Sequence, residues 1–511
     1  MAEIILFFNE KNFEYDVYNL IKAFYPEKDI KMFYETEQAG AFPGEWEMYF
    51  RVFYSEKRID FSASVQENQI PAGKEKQMPA AGQEQILSLF DHSCLLRDPT
   101  DRIETKNQLK KLVYSSLTEM TQRKLPWGNL TGIRPVKIIR TKLDEGFTPK
   151  EAAAYMQENY DVSDEKTALS LEVALREKKL LDEIQPQEGY SLYVDVPFCP
   201  SICLYCSFGS HLIGQWKSHV PAYLEALFRE LDMISEVMKG KRLDSIYIGG
   251  GTPTSIDAMA LDTLLSAITQ RFPMDDLREF TVEAGRPDTV TEDRLRVLRE
   301  YPVSRISINP QTMNQKTLDV IGRRHTVEET IDRFAMARRL GFDNINMDMI
   351  VGLPGEGAEE IGHTLEEIIK LDPDNLTVHS LALKRATRLA LFKDQYKDIS
   401  FDNSVEIMNS TTEAARAMHM HPYYLYRQKN IAGNFENVGY AREGKDGIYN
   451  ILIMEEKQTI MAAGCGASTK FVTNGGQTIN RVENVKDLRN YIERIDEMIE
   501  RKRVGIDKYL S

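Results

Sequence analysis

The rhythm of hydrophobic and polar positions changes along the chain, and the changes divide it. Up to residue 66, Ile4–Phe8 reads as a strand, Phe13–Phe24 as a helix, and Glu47–Tyr54 with Arg58–Val65 as an alternating hairpin, a small N-terminal α/β domain. Residues 67–85 contain almost no large apolar side chain and predict a linker. Residues 86–185 carry helical periodicity, with helices expected at about Asn107–Thr121, Pro135–Glu145, Lys150–Asn159 and Asp164–Asp182. Thr148, Pro149 and Glu151 have the types and spacing of a capping-box start. From Tyr190 strand and helix alternate. The strands are Leu192–Val196, Ser245–Ile248, Glu279–Glu283, Ser304–Ile308, Asn344–Ile350 and Leu376–Leu383. Helices fall between them at about Val220–Lys239, Met259–Arg271, Glu292–Glu300, Glu328–Leu340 and Ala358–Leu371. Six such units over 186–384 predict an α/β core with a parallel sheet, open or curved into a partial (β/α)6 barrel. The alternation then stops, and 385–511 reads as a C-terminal α+β domain that covers a substrate, with helices at Phe401–Met420 and Val485–Lys502.

Composition narrows the function. The net charge of −14 argues against a general phosphate-backbone binder, so no nucleic-acid partner is expected. No 18-residue apolar run is present, so no membrane span is expected, and Ile4–Phe8 is too short for a signal sequence. With only 5 cysteines, the chain is expected in the cytoplasm, where thiols stay reduced.

Three of those cysteines stand together in YVDVPFCPSICLYCSFG: Cys199, Cys203 and Cys206. Pro197 and Pro200 break the preceding strand and place the sulfurs on a loop, which can bring three thiolates onto one compact inorganic centre. A structural zinc site closes with four protein ligands. Here Cys94 and Cys465 are remote in sequence, and zinc would need a ligand such as His211. A four-iron cluster held by three cysteines instead keeps one iron open for a small molecule. The spacing resembles the signature of the radical S-adenosylmethionine (SAM) enzymes, in which that iron is chelated by SAM.

The other conspicuous residues fall at strand ends, where chemistry collects in such sheets. Gly249-Gly250-Gly251-Thr252-Pro253 ends the second strand, and three glycines favour close backbone contact with a ligand. Glu283 ends the third strand, Asn309 and Gln311 follow the fourth, and Asp348 lies on the fifth. Two aromatic segments keep two readings open. Pro126–Pro135, with Trp127 and Arg134, either touches substrate or braces two helices. His421–Tyr440, with four tyrosines beside Arg427 and Lys429, is either a stacking face for a tetrapyrrole or a packed core. Cys465 in Gly464–Ala467 reads as a packed small residue.

YVDVPFCPSICLYC, GGGTPT, VEAGRP, INPQ, GRRH and DMIVGLPGE appear in the order and spacing of the radical SAM oxygen-independent coproporphyrinogen III oxidase (dehydrogenase) family. The match spans about Leu192 to Leu383, and the long N-terminal extension resembles the HemZ-like branch. The resemblance implies a [4Fe-4S] cluster on the three cysteines, Tyr193 over SAM, and Gly249, Gly250, Gly251 and Thr252 along its methionine part. It implies further cofactor contacts from Glu283, Gln311, Arg323 and Asp348, and catalytic roles for Tyr193, Glu283, Arg323 and Asp348. The implied reaction converts two propionates of coproporphyrinogen III to vinyl groups with loss of carbon dioxide. It would be fed by an electron donor such as flavodoxin or ferredoxin. Two positions depart from the family: Asp195 stands where a histidine is usual, and Phe208 where a further cysteine is usual. Members of the wider superfamily instead carry haem or open its ring by methyl transfer. Carboxylates of a porphyrinogen or haem would need cations, for which Arg427 is the first candidate and Lys384 and Arg385 the next.

Overall fold

Period-two alternation in the first hundred residues builds a five-stranded sheet. A computed structural model describes residues 4–35, 46–66, 86–382, 387–391, 403–428 and 431–510. The chain forms two units, Met1–Ile133 with Lys142–Ala168, and Arg134–Thr141 with Leu169–Ser511.

In the first unit β1 (Ile4–Phe8), β2 (Ile30–Tyr34), β3 (Met48–Ser55), β4 (Arg58–Gln66) and β5 (Ile86–Leu95) form one sheet in the order β2-β1-β3-β4-β5. Leu6, Phe8, Phe50, Val52, Phe61 and Ala63 form its inner face against Val17, Leu20 and Ile21 of the helix Glu14–Phe24 and Leu109, Val113 and Leu117 of the helix Arg102–Thr121. The stretch from 86, read as helical throughout, therefore opens with a strand. Its alternation is interrupted where the pairing with β4 shifts register between Ala63 and Ser64, which hides the period of two. Thr148 caps the helix Pro149–Tyr160 in the expected reciprocal box with Glu151. Trp127 is fully buried, and a side chain at Gly128 (φ 52°) would collide with the Tyr160 carbonyl, so this turn braces the end of that helix. The linker 67–85 lies outside the described residues, as do Lys384, Arg385 and Lys429.

The second unit contains β6 (Gly189–Val196), β7 (Phe198–Cys199), β8 (His211–Leu212), β9 (Arg242–Gly250), β10 (Glu279–Glu283), β11 (Arg305–Ser307), β12 (Ile345–Val351) and β13 (Asn375–Ser380). It continues with β14 (His421–Tyr426), β15 (Asn437–Ala441), β16 (Thr459–Ala463), β17 (Ser468–Thr473) and β18 (Thr478–Glu483). β6, β9, β10, β11, β12 and β13 are neighbours in chain order and parallel, the six strands expected of a partial barrel. The intervening helices also fall where expected, among them Val220–Val237, Ala258–Arg271 and Ala358–Leu371.

The C-terminal strands extend this sheet at both edges. β15 and then β14 add antiparallel to β13, while β16 adds parallel to β6 and carries β17 and β18 beyond it. The result is an 11-stranded sheet in which residues after 385 flank the core on either side. Ile246, Ile248, Phe280, Val282, Ile306, Met347, Met349 and Val378 alternate along the strands and are all fully buried. The other face carries Tyr247, Glu283, Arg305, Ser307, Asn346, Asp348, Thr377 and His379, which line a cavity. A parallel strand buried on both faces usually reads as a continuous apolar run. This barrel is polar inside.

Candidate active site

The interior cavity has a volume of about 390 Å³. Its wall includes Cys199, Cys203 and Cys206 together with Gly250, Gly251, Thr252, Glu283, Gln311, Arg323 and Asp348. Strand ends and the loop after β6 thus bring one group of expected residues to one place. The cysteine loop is anchored on either side. β7 pairs with β8, and the Phe198 carbonyl accepts from the Thr252 amide at 2.7 Å and the Ser255 hydroxyl at 3.0 Å. Cys199 Sγ lies 3.5 Å from the Thr252 hydroxyl. Arg286 donates to Cys203 Sγ at 3.5 Å and to the Ser201 hydroxyl at 2.9 Å, while Asp288 holds its other edge at 3.0 Å.

The triple glycine proves to be a packing device as well as a wall. A Cβ at Gly249 would meet the Tyr247 ring at 2.9 Å, and one at Gly251 the Phe198 backbone at 2.6 Å. At Gly250 (φ 104°) it would meet the Asp195 carboxylate at 2.5 Å. The strand must lose its side chains here to lie flush against the cysteine loop and β6. Gly249 and Tyr193 are not among the residues lining the cavity. The Tyr193 ring packs beside the stacked pair Tyr247 and Tyr449 (4.5 Å apart), at 6.2 and 6.1 Å from them, and its hydroxyl donates to Asp195 at 3.3 Å.

The carboxylates differ in charge. Burial pushes the Glu283 carboxyl up to about 7, partly offset by the hydrogen bond from Tyr247 and reinforced by the nearby charge of Asp348. Asp348 is also penalised by burial, yet the neighbouring His379 ring, at 3.8 Å, and a hydrogen bond from the Asn346 amide, at 2.7 Å, hold it below the usual carboxylate range. Asp195 is pushed well up by burial. Arg323 is buried and donates to the carbonyls of Asn309, Pro310 (3.2 Å) and Gly285 (3.0 Å), tying three loops together. Gln311 sits at φ 67°, an uncommon region for a residue with a side chain, held by backbone bonds with Asp348 and Ile350 at 2.9 Å.

Other expected residues lie elsewhere. Arg427 is buried with its guanidinium turned onto Asn434, donating to the carbonyl at 3.1 Å and the side-chain oxygen at 2.6 Å, and it does not line the cavity. His211 pairs its backbone with Pro197 at 2.7 Å and also lies off the wall. Tyr423 and Tyr440 belong to the core, whereas Tyr424 and Tyr426 reach the cavity. Cys465 donates its thiol to the Lys486 carbonyl at 3.2 Å, as a packed residue would. Arg134 makes an ion pair with Glu456.

Residues 193–368 match the radical SAM superfamily. The oxygen-independent coproporphyrinogen-III oxidase-like protein HemZ of Bacillus subtilis (strain 168) is 42% identical over 403 residues, covering 78% of this chain and 80% of that protein. The chain belongs to this radical SAM family, in its HemZ-like branch. The heme chaperone HemW of the same bacterium is 31% identical over 312 residues, 60% of this chain and 76% of the relative. Among solved structures, the coproporphyrinogen III oxidase HemN of Escherichia coli aligns with a TM-score of 0.50 at 23% identity, over 61% of this chain and 70% of that one. That likeness is one of fold. No described helix is long and apolar enough to cross a membrane.

Membership in the radical SAM family implies a [4Fe-4S] cluster and SAM, and the donor set fits them. The three cysteines share one wall with hydroxyl and guanidinium donors directed at two of the sulfurs. Among the described residues, no three Cys, His, Asp or Glu side chains converge as ligands of a single metal ion would. Thiolates that each take a different corner of a four-iron cluster stand further apart than that. Buried Ser307 Oγ and Gln311 Oε1, both on residues of the wall, have no hydrogen-bond partner among the described residues, an arrangement that suits a polar ligand.

Several wall residues lie outside the quoted motifs, namely Tyr247, Arg305, Asn346 and His379, while Arg286 lies within VEAGRP without having been assigned a role. A signal for most of them is present in the sequence. Every second residue of these parallel strands is polar, as in Arg305-Ile306-Ser307-Ile308-Asn309, where two buried faces would call for apolar side chains throughout.

Proposed function

We propose that this protein is a radical SAM oxidoreductase that decarboxylates two propionates of coproporphyrinogen III to vinyl groups, giving protoporphyrinogen IX. The observation that carries the reading is the cavity itself, where three cysteines face inward carboxylates and buried arginines across one chamber. The high identity to a coproporphyrinogen oxidase-like relative over most of both chains supports it. A [4Fe-4S] cluster on Cys199, Cys203 and Cys206, with SAM on its open iron, would supply a 5′-deoxyadenosyl radical able to take a hydrogen atom from a propionate β-carbon.

The chain's own residues would bind and orient. Gly250, Gly251 and Thr252 offer backbone and hydroxyl groups beside Cys199. Asp348, held ionised by His379 and Asn346, is an acceptor for hydroxyl or ammonium groups, and Gln311 offers an amide oxygen that has no other partner among the described residues. Glu283, balanced near neutrality and steadied by Tyr247, can donate or accept. Arg323 holds the loops that carry these groups. Each propionate releases carbon dioxide and one electron, so the reaction requires an electron acceptor as well as a donor such as flavodoxin or ferredoxin.

Haem carriage is the second reading, favoured by the 31% identity to a haem chaperone and by Phe208, an exposed aromatic at the cavity rim where dehydrogenases carry cysteine. Anaerobic assay of the reconstituted protein with coproporphyrinogen III, scored by mass, separates the two. Loss of two carboxyl groups is expected. Stoichiometric haem binding without turnover would replace the oxidative reading with carriage.

A further inference from the structure

The cavity contains a buried cation that pairs directly with no carboxylate among the described residues. Arg305 lies on β11 and points inward with Ser307, and it is 2% exposed. Among the described residues its side chain makes one hydrogen bond, from Nε to Asn375 Oδ1 at 2.8 Å, and no carboxylate approaches it within 4.0 Å. Three carboxylates lie close enough for its charge to act on them: Glu279, Glu283 and Asp348. Each already has donors of its own. Glu279 accepts from the Thr281 hydroxyl at 2.8 Å and the Ile448 amide, Glu283 from Tyr247, and Asp348 from Asn346. The two terminal nitrogens of the guanidinium, a planar fork shaped for a carboxylate, are left over on a residue of the cavity wall. A buried charge without a direct partner is costly, and a ligand that arrives with the opposite charge removes the cost.

We infer that Arg305 anchors a carboxylate of the bound ligand through its two terminal nitrogens. This rests on the reading of the cavity as a site for SAM and a propionate-bearing tetrapyrrole, either of which could supply the carboxylate. Arg305 takes the role that the sequence suggested for Arg427.

The test uses the full-length, anaerobically reconstituted protein as wild type, Arg305→Lys and Arg305→Gln. Coproporphyrin III and its tetramethyl ester are titrated by fluorescence, and SAM by equilibrium dialysis. If a propionate is the partner, the free acid binds at least tenfold more weakly to Arg305→Gln, less so to Arg305→Lys, while the ester binds all three alike. If SAM affinity falls tenfold and porphyrin affinity does not, the anchor holds the cofactor's carboxylate. Cooperatively folding variants that bind both ligands as wild type does would overturn the inference. Should the variants not fold, the wild type still decides for the substrate. An ester bound as tightly as the acid, with SAM bound as tightly as its carboxyl methyl ester, leaves no anchored carboxylate. A wild type that binds neither porphyrin but binds SAM removes the proposed substrate, and the SAM comparison alone then judges Arg305.

Discussion

At the scale of single residues, the site depends on groups whose surroundings set their charge or forbid their replacement. Glu283 is the clearest titrating case. Its folded pKa of about 7 lies above the ordinary carboxylate value, so the folded state retains a proton that the unfolded chain has released. Its contribution is therefore fully present below the unfolded pKa and is lost as pH rises through 7. Urea melts at pH 5.5 and 8 should show this loss in the wild type and less of it in Glu283→Gln; an identical pH slope in the two would contradict the assignment. Gly251 is the steric counterpart, because a methyl group there meets the Phe198 backbone at 2.6 Å. Gly251→Ala should cost about 1–3 kcal/mol and reduce iron content, since Phe198 leads into Cys199. Gly362, in the middle of a helix with nothing within 4 Å, is the control, and its alanine variant should gain about 0.5–1 kcal/mol. Iron analysis should give about four irons per chain, lost on changing Cys199, Cys203 or Cys206 to alanine and kept in Cys94→Ala and Cys465→Ala.

At the scale of elements, the last helix, Ile495–Tyr509, is joined to the barrel helix Val220–Val237 by a buried ion pair. Lys502 and Glu230 are both fully buried and bonded to each other. Lys502 also donates to Asn484 at 2.6 Å, while Tyr491, Asn484 and the Gly464 amide donate to Glu230 at 2.6–2.8 Å. The network is well satisfied, so removing one partner strands a charge. Lys502→Met should lose about 3–5 kcal/mol in urea unfolding. Adding Glu230→Leu should recover part of it, and a double variant no better than the single would contradict the account.

At the scale of the whole molecule, the C-terminal region is structural to the core. β16 pairs with β6, the strand that leads into the cysteine loop, in register from Thr459–Tyr190 to Ala463–Val194. A chain ending at Gln458 would expose the full edge of β6, an invitation to aggregate. Size-exclusion chromatography should show association, and the remaining monomer should be poor in iron. A monomeric, iron-replete product would mean that the β6 edge needs no cover.

What the sequence determined by itself is whatever depends on local order: the six strand–helix units, the Thr148 capping box, the cysteine loop and the polar strand ends. Each is written within a few residues, by periodicity, capping types or spacing. Only the tertiary structure decided what depends on distant neighbours. Arg427 looked available because it is cationic and follows a tyrosine-rich run, yet the fold turns it onto Asn434. Arg305 looked like an ordinary strand residue until five other parallel strands closed around it and occupied every nearby carboxylate with other donors. The glycines at the end of β9 suggested a ligand, and the fold shows their side-chain space already filled by Asp195, Tyr247 and Phe198. Strand pairing across more than 200 residues, as between β6 and β16, leaves no local trace. The two edges of the sheet were therefore invisible until the chain was folded.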